Sequence, residues 1–355
     1  MIELTTMGWD PFFEKQKNAL KKINGRIARV TGLQKNHVRI HDGKEEVVVK
    51  ARGRIVRGHG KNTLFPVPGD FVIEKQGVVT RVFERKNQLA RGAAGRRGKL
   101  DAAPRAKQVI ASNIDYVIVV CGLDRDYNLR RIERYLTLIY NNNMTPVVVL
   151  NKADLHDDPT PFKEEVEEIA KDVPIHLVSC EDETGIDELD HYTQPGKTVC
   201  LMGSSGAGKS SLVNAIVGDE IRIVGEVSDF DGKGMHTTTT RDMIFLESGG
   251  MIIDNPGIRE IAVSDEEGGV DDTFPDINEL AAGCRFNDCT HQHEPGCNVK
   301  AAVEEGDLAA DRLANYLKMR LEATFSSERD SKTADRVEKE RWRDIAKTIK
   351  DIKKG

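Results

Sequence analysis

No stretch of this chain approaches the ~18 consecutive apolar residues that a membrane-spanning helix needs. Residues 1–20 lack the apolar core and cleavage site of a secretory leader. These absences predict a cytoplasmic protein with no membrane partner. Cysteine is scarce, six in 355 residues, with three of the six inside 14 positions. That pattern excludes a disulfide scaffold and fits a reducing compartment with a metal site. Charge of one sign is also lacking: the net value is −6, so no global field draws nucleic acid and any such binding must come from local patches. There is no internal repeat, which excludes a solenoid. The length allows two or three domains.

What is present is sharper. Residues 203–211 read Gly203-Ser204-Ser205-Gly206-Ala207-Gly208-Lys209-Ser210-Ser211. This is the phosphate-loop pattern, set between an apolar run at 198–202 that predicts a strand and a run at 211–217 that opens a helix. The glycines let backbone N–H groups curl around a phosphate chain, and the helix N-terminus adds partial positive charge. Lys209 neutralises the β- and γ-phosphates, and the Ser210 hydroxyl reaches Mg²⁺. Upstream, Asn151-Lys152-Ala153-Asp154 closes the apolar run 146–150. A carboxylate placed like Asp154 accepts both N–H groups of the guanine edge, whereas adenine would leave it unpaired. GTP is therefore expected over ATP. Asp254-Asn255-Pro256-Gly257 closes a third apolar run, with Asp254 placed to hold Mg²⁺ through water and Gly257 to offer its N–H to the γ-phosphate. Residues 237–240, all threonine, offer a further hydroxyl to the Mg²⁺ shell.

The order of these motifs is unusual, because the guanine motif precedes the phosphate loop. Only the loops at the carboxyl ends of parallel strands must converge, so a permuted chain can build the same site. With this order the sequence resembles the circularly permuted ribosome small subunit-dependent GTPase A family (RsgA, also called YjeQ), from about residue 24 to residue 316. The resemblance implies that Ser179 and Cys180 form the second base-contacting loop. Similarity to other GTPases makes Thr238 or Thr239 the Mg²⁺ ligand. Ile258 stands where many GTPases carry a water-orienting Gln, so hydrolysis by the free protein should be slow. His236 is the nearest candidate to orient water, and the resemblance supports it; the alternative is a solvent-exposed loop residue.

The expected fold class is α/β, a circularly permuted P-loop GTPase core with a doubly wound parallel sheet, an N-terminal OB-like β-barrel and a C-terminal zinc-binding α-helical domain. Five short alternating segments at 26–30, 38–40, 46–51, 71–74 and 78–82 predict the barrel, with Gly32, Asp42-Gly43, residues 66–69 and Gly77 as breaks. Strand patterns at 116–121, 146–150 and 175–179 alternate with helical patterns at 129–140 and 161–170. The expected divisions are an N-terminal extension 1–23, the barrel 24–84, a basic linker 85–108, the GTPase 109–262, the zinc domain 263–325 and a basic tail 326–355.

Cys284, Cys289, His291 and Cys297 are spaced Cys-x₄-Cys-x-His-x₅-Cys. Three thiolates and an imidazole suit one closed, structural Zn²⁺. His293 is a rival ligand, and the family pattern through Glu294-Pro295-Gly296-Cys297 points to His291. Arg52, Arg54, Arg57, His59 and Lys61 crowd one stretch of the barrel. The linker holds Arg85, Lys86, Arg91, Arg96, Arg97, Lys99, Arg105 and Lys107 against the single acid Asp101. Such a run serves as a solvated connector, as an RNA-backbone contact, or as both. The tail repeats Trp342, Ile345, Ile349 and Ile352 at helical spacing among basic residues, and can dock on RNA, on a membrane surface or on its own domain. The resemblance implies a monomeric GTPase that grips the small ribosomal subunit and its rRNA, then releases after hydrolysis to GDP. A GTP-dependent regulator or chaperone of another RNA, and a metabolic GTP-using transferase, are the alternative readings.

Overall fold

The structure, a computed structural model, describes residues 2–20, 22–34, 37–51, 65–91, 108–218, 242–254 and 268–329. His236, Thr238, Thr239, Gly257, the cations at 52–61, linker residues 92–107 and the basic tail lie outside the described residues.

Strands β1 (Arg26–Gln34), β2 (His37–His41), β3 (Glu46–Ala51), β4 (Phe71–Lys75) and β5 (Val78–Val82) close into a ring in the order β1-β2-β3-β5-β4-β1. Closure removes the unpaired edges that so small a sheet would otherwise expose. The interior is filled by short β-branched and small side chains: Ala28, Val30, Val38, Ile40, Val49, Val72 and Val79. Gly32 does not end β1, as the sequence reading expects. The register shifts between Val30 and Gly32, and past this bulge Gly32 pairs with Asp242. Past the bulge β1 keeps β2 on one side while Gly32 takes Asp242 of the neighbouring sheet on the other.

A two-stranded antiparallel pair follows, β6 (Gln88–Arg91) and β7 (Gln108–Ser112). The linker is therefore anchored at both ends by strands. Two cations counted with it are committed elsewhere. The Arg85 guanidinium is buried and bidentate to Asp70 at 2.7 Å, and Lys86 pairs with Asp10 at 2.6 Å.

The central sheet runs β10-β9-β8-β11-β13-β12. Here β8 is Tyr116–Gly122, β9 Thr145–Asn151, β10 Ile175–Val178, β11 Thr198–Met202, β12 Asp242–Phe245 and β13 Met251–Asp254. All pairs are parallel except β12 against β13. Every residue of β11 is buried, as expected for a strand covered on both faces. Two helices, α2 (Leu129–Asn141) and α3 (Thr160–Ile169), pack on one face through Ile132, Leu136, Ile139, Val166 and Ile169. Helix α4 (Lys209–Val217) packs on the other through Leu212 and Val213.

Residues 1–23, expected as an extension, are built into the junction. Helix α1 (Pro11–Asn18), N-capped by Asp10, seats Phe13 with Trp9 against Phe71, with ring centroids 4.6–5.5 Å apart. Met7 is fully buried in the core of the central sheet. Between barrel and sheet lies Arg29, 1% exposed. Its guanidinium donates to the carbonyls of Met7, Gly69 at 3.3 Å and Asn113 at 3.2 Å, and to the Thr198 hydroxyl at 2.8 Å. Burial pushes its pKa down to about 10, against the opposing pull of Asp115 and Asp70, so it stays charged at neutral pH.

At the far end, α5 (Gly268–Thr273), α6 (Pro275–Ala281), α7 (Asn298–Glu305) and α8 (Ala310–Arg329) gather around Phe274, Ile277, Val299 and Tyr316. This unit sits on α2 through Glu133, which is wholly buried and takes Arg312 at 2.5 Å, Asn315 and the preceding Arg130. Thr137 meets Thr273 at 2.7 Å, and Arg134 meets Glu322 at 3.1 Å. Among the described residues, no helix is long and apolar enough to cross a membrane.

Arg29→Ala would leave three carbonyls and a hydroxyl without their buried donor. The expected cost is ~3–5 kcal/mol, the range for stripping a buried charged partner. Urea unfolding of the variant should show it; a loss below ~1 kcal/mol would mean that water replaces the guanidinium without penalty.

Candidate functional site

β11 is followed at once by Gly203, whose φ of 149° and close approach to the Val120 carbonyl (a Cβ would stand 2.3 Å from it) leave no room for a side chain. The chain then loops over residues 204–208 and enters α4 at Lys209. The free N–H groups of the first helical turn therefore point into the loop, where an anion belongs. Gly208 has φ 94°, and a Cβ there would lie 2.0 Å from the Asn151 amide nitrogen. The Lys209 ammonium spans the loop, donating to the carbonyls of Gly203 at 2.9 Å and Ser204. Ser210 is exposed in the first turn of α4, and Ser211 follows it there.

The 151–154 motif arrives from the end of β9, on the far side of β8 from β11. Asn151, 2% exposed at the last position of β9, donates its amide to the Ala207 carbonyl at 3.0 Å. Lys152, in the left-handed region at φ 65°, crosses to the Gly206 carbonyl at 2.7 Å and to Asp124 at 2.6 Å. Its bond holds the Asp124 carboxyl below the usual carboxylate range. Ala153 and Asp154 begin a 3₁₀ turn. The Ser179 hydroxyl donates to Asp154 at 2.6 Å and accepts from the Asp182 N–H, so the β10 loop orients the exposed carboxylate. Cys180 lies 3.4 Å from the Asn151 side-chain oxygen. Burial, with Asp154 nearby, pushes its thiol up, so it packs as a neutral group.

The structure thus brings the motifs at 151–154, 179–180 and 203–211 together at the carboxyl ends of β9, β10 and β11. Asp254 ends β13 beside β11, its backbone in register with Asp242 of β12. The sequence reading missed Asp124 and Asp126, which lie after β8. Asp126 accepts from the Ser204 hydroxyl at 2.5 Å and from Arg131. The available signal was positional: β8 is a parallel neighbour of the phosphate-loop strand, so its carboxyl-end loop must face the same site.

Away from this cleft, Cys284, Cys289, His291 and Cys297 bring their donor atoms within 4.8 Å of one another. Cys284 Sγ lies 3.9 Å from Cys297 Sγ and 3.6 Å from His291 Nδ1, which is 3.4 Å from Cys297 Sγ. A tetrahedral ion with bonds of about 2.3 Å to sulfur and 2.0 Å to nitrogen needs edges of roughly 3.5–3.8 Å, so the donor set fits Zn²⁺. Burial, with Arg320 adding to it, pushes the His291 imidazole below its ordinary range, toward the neutral form that ligates. His293 is exposed and outside the cluster. Glu294 braces the loop, accepting from the Thr290 hydroxyl and from the N–H groups of Thr290, Gln292 and His293; these bonds lower its pKa to about 2.

Residues 82–264 match the family model described as RsgA GTPase. The chain is similar to the small ribosomal subunit biogenesis GTPase RsgA of Methanosarcina acetivorans, at 41% identity over 81% of this chain and 78% of the relative. It is similar also to RsgA 2 of Listeria monocytogenes, at 36% over 98% and 97%. Among solved structures it resembles YjeQ from Thermotoga maritima, with a TM-score of 0.60 and 31% identity over 84% of this chain and 98% of that one. The circularly permuted GTPase YloQ gives 0.57 and 26% over 85% and 96%.

Proposed function

The chain belongs to the RsgA GTPase family and is a circularly permuted GTP hydrolase, and from that premise we propose that it cycles on and off the small ribosomal subunit in the cytoplasm, as a monomer, assisting late maturation. The relatives are named for biogenesis of that subunit. The observation that carries the site assignment is the Asn151–Ala207 bond, which locks the base-reading motif to the phosphate loop.

In this reading Lys209 neutralises the β- and γ-phosphates while the N–H groups of residues 204–210 cradle them. Asp154 and the Ser179–Cys180 loop read guanine. Ser210, Asp254 and either Thr238 or Thr239 would hold Mg²⁺, which when bound supplies charge neutralisation between the phosphates. The Gly257 N–H would serve the γ-phosphate. Ile258 cannot orient water, so His236 would take that part on the subunit. The four-residue Cys/His cluster would hold one structural Zn²⁺ that keeps α5–α8 folded. The cations of the barrel loop and of residues 92–107 supply rRNA backbone contact.

Asp154→Asn should move preference from GTP toward xanthosine triphosphate, since the amide offers a donor where guanine already donates. Competition binding reads this directly, and unchanged GTP affinity would remove Asp154 from the base site. Metal analysis of protein purified without chelator should find about one zinc per chain. Cys297→Ser should lose the metal and loosen α5–α8 while GDP binding persists; zinc-free parent protein would reject the assignment. Turnover should be slow alone and rise with purified small subunits by up to the ~10³–10⁵ that trans-supplied groups give GTPases. His236→Ala should lose most of that rise yet still bind the subunit with GTP. Stimulation equal to the parent's would show that the ribosome supplies the water-orienting group.

A further inference from the structure

We propose that Asp126 is a positioning residue for the phosphate loop, holding Ser204 to the start of α2 so that the loop is shaped before nucleotide arrives. The proposal rests on the reading of residues 203–210 as the site of the GTP phosphates.

Among the described residues, packing does little to fix the loop's tip. Ser205 and Gly206 are exposed, and apart from its chain neighbours no described atom lies within 4 Å of where a Gly206 Cβ would stand. A glycine-rich segment at positive φ carries a large ordering entropy, so its shape must come from polar bonds. The loop between β8 and α2 supplies them. Asp126 Oδ2 accepts from the Ser204 hydroxyl at 2.5 Å, while Oδ1 accepts from Arg131. Asp126 is itself fixed, since its N–H donates to Asp124 Oδ1 at 2.9 Å. Asp124 Oδ2 in turn takes Lys152, whose ammonium reaches the Gly206 carbonyl. Ser204 is thus tied directly, and Gly206 through one lysine, to the same short loop.

Two features suit this carboxylate to its task. Its side chain is only 15% exposed, so water competes weakly for the serine bond. Arg131, in the first turn of α2, neutralises it, so an acid beside a triphosphate does not repel the ligand. Arg131 is placed by the cap of α2, where the Asn128 side chain accepts its N–H at 3.0 Å. A preordered loop binds more tightly because less entropy is lost on binding.

The test is a double-mutant cycle on the full chain, with dissociation of a fluorescent GDP as readout. Asp126→Ala and Ser204→Ala should each speed dissociation roughly tenfold, the scale of one charge-assisted hydrogen bond. The double variant should be no faster than the faster single, and Ser204→Thr, which keeps the hydroxyl, should stay near the parent. Asp126→Asn, which keeps an acceptor, should fall between parent and Asp126→Ala and guards against a folding defect. Effects that multiply in the double variant, or a lowered melting temperature with unchanged GDP dissociation, would overturn the proposal alone. A parent that binds GDP no better than Lys209→Ala would overturn the phosphate-loop reading and this proposal with it.

Discussion

One buried guanidinium holds the barrel to the nucleotide-binding sheet. Arg29 belongs to the barrel strand β1, yet its partners lie on the N-terminal segment, the β3–β4 connection, the β7–β8 turn and β11. A charge taken wholly out of water is costly unless every donor is satisfied. Here the satisfaction comes mostly from carbonyls of segments that would otherwise be loose. Met7, Gly69 and Asn113 must therefore stand where they do together or not at all. The same strand continues past its bulge to pair with β12. Barrel and core are joined by one hydrogen-bonded surface, and a force on the barrel reaches β12 through backbone rather than through a hinge.

β12 also begins directly after residues 219–241, which contain His236 and the threonine run. The strand that receives β1 is thus the strand that follows the segment proposed to orient water. On that proposal, a partner held at the barrel has a route to hydrolysis without a long chain of side chains. Its elements are a closed barrel, one bulge and one strand pair, each rigid on its own.

Much of this was legible in the sequence because local chemistry demanded it. The apolar run 199–202 of β11, the glycines that crowd Val120 and Asn151, and the Cys-x₄-Cys-x-His-x₅-Cys spacing each have few other solutions. The barrel was legible from period-two segments broken by turns. What was not legible depends on distant partners. Gly32 reads as a break and serves as a bulge, because β12, more than 200 positions on, supplies its pair. Arg85 reads as a linker cation and is buried against Asp70. Residues 1–23 carry no motif, and it takes distant partners such as Phe71, Ile73 and Phe83 to explain Trp9 and Phe13. Asp126 and Glu133 look like surface acids of an amphipathic stretch until Ser204 and Arg312 arrive from opposite sides.

Those last two residues place α2 between the loop at 203–208 and the unit that carries the Cys/His cluster. Along the chain, that unit follows Asp254 through residues 255–267, a covalent path to it from the end of β13. In space it rests on α2, through Glu133, Thr137 and Asn141. Burial pushes the Glu133 carboxyl up, with Arg130 and Arg312 pulling it down, so the contact is stable only while both arginines stay seated. The N-terminal end of α2 is where Arg131 holds Asp126 against the phosphate loop. A strut fixed at one end to the loop at 203–208 and on its flank to a second unit by desolvated charges can take few intermediate positions, and that makes it suited to reporting one state or another.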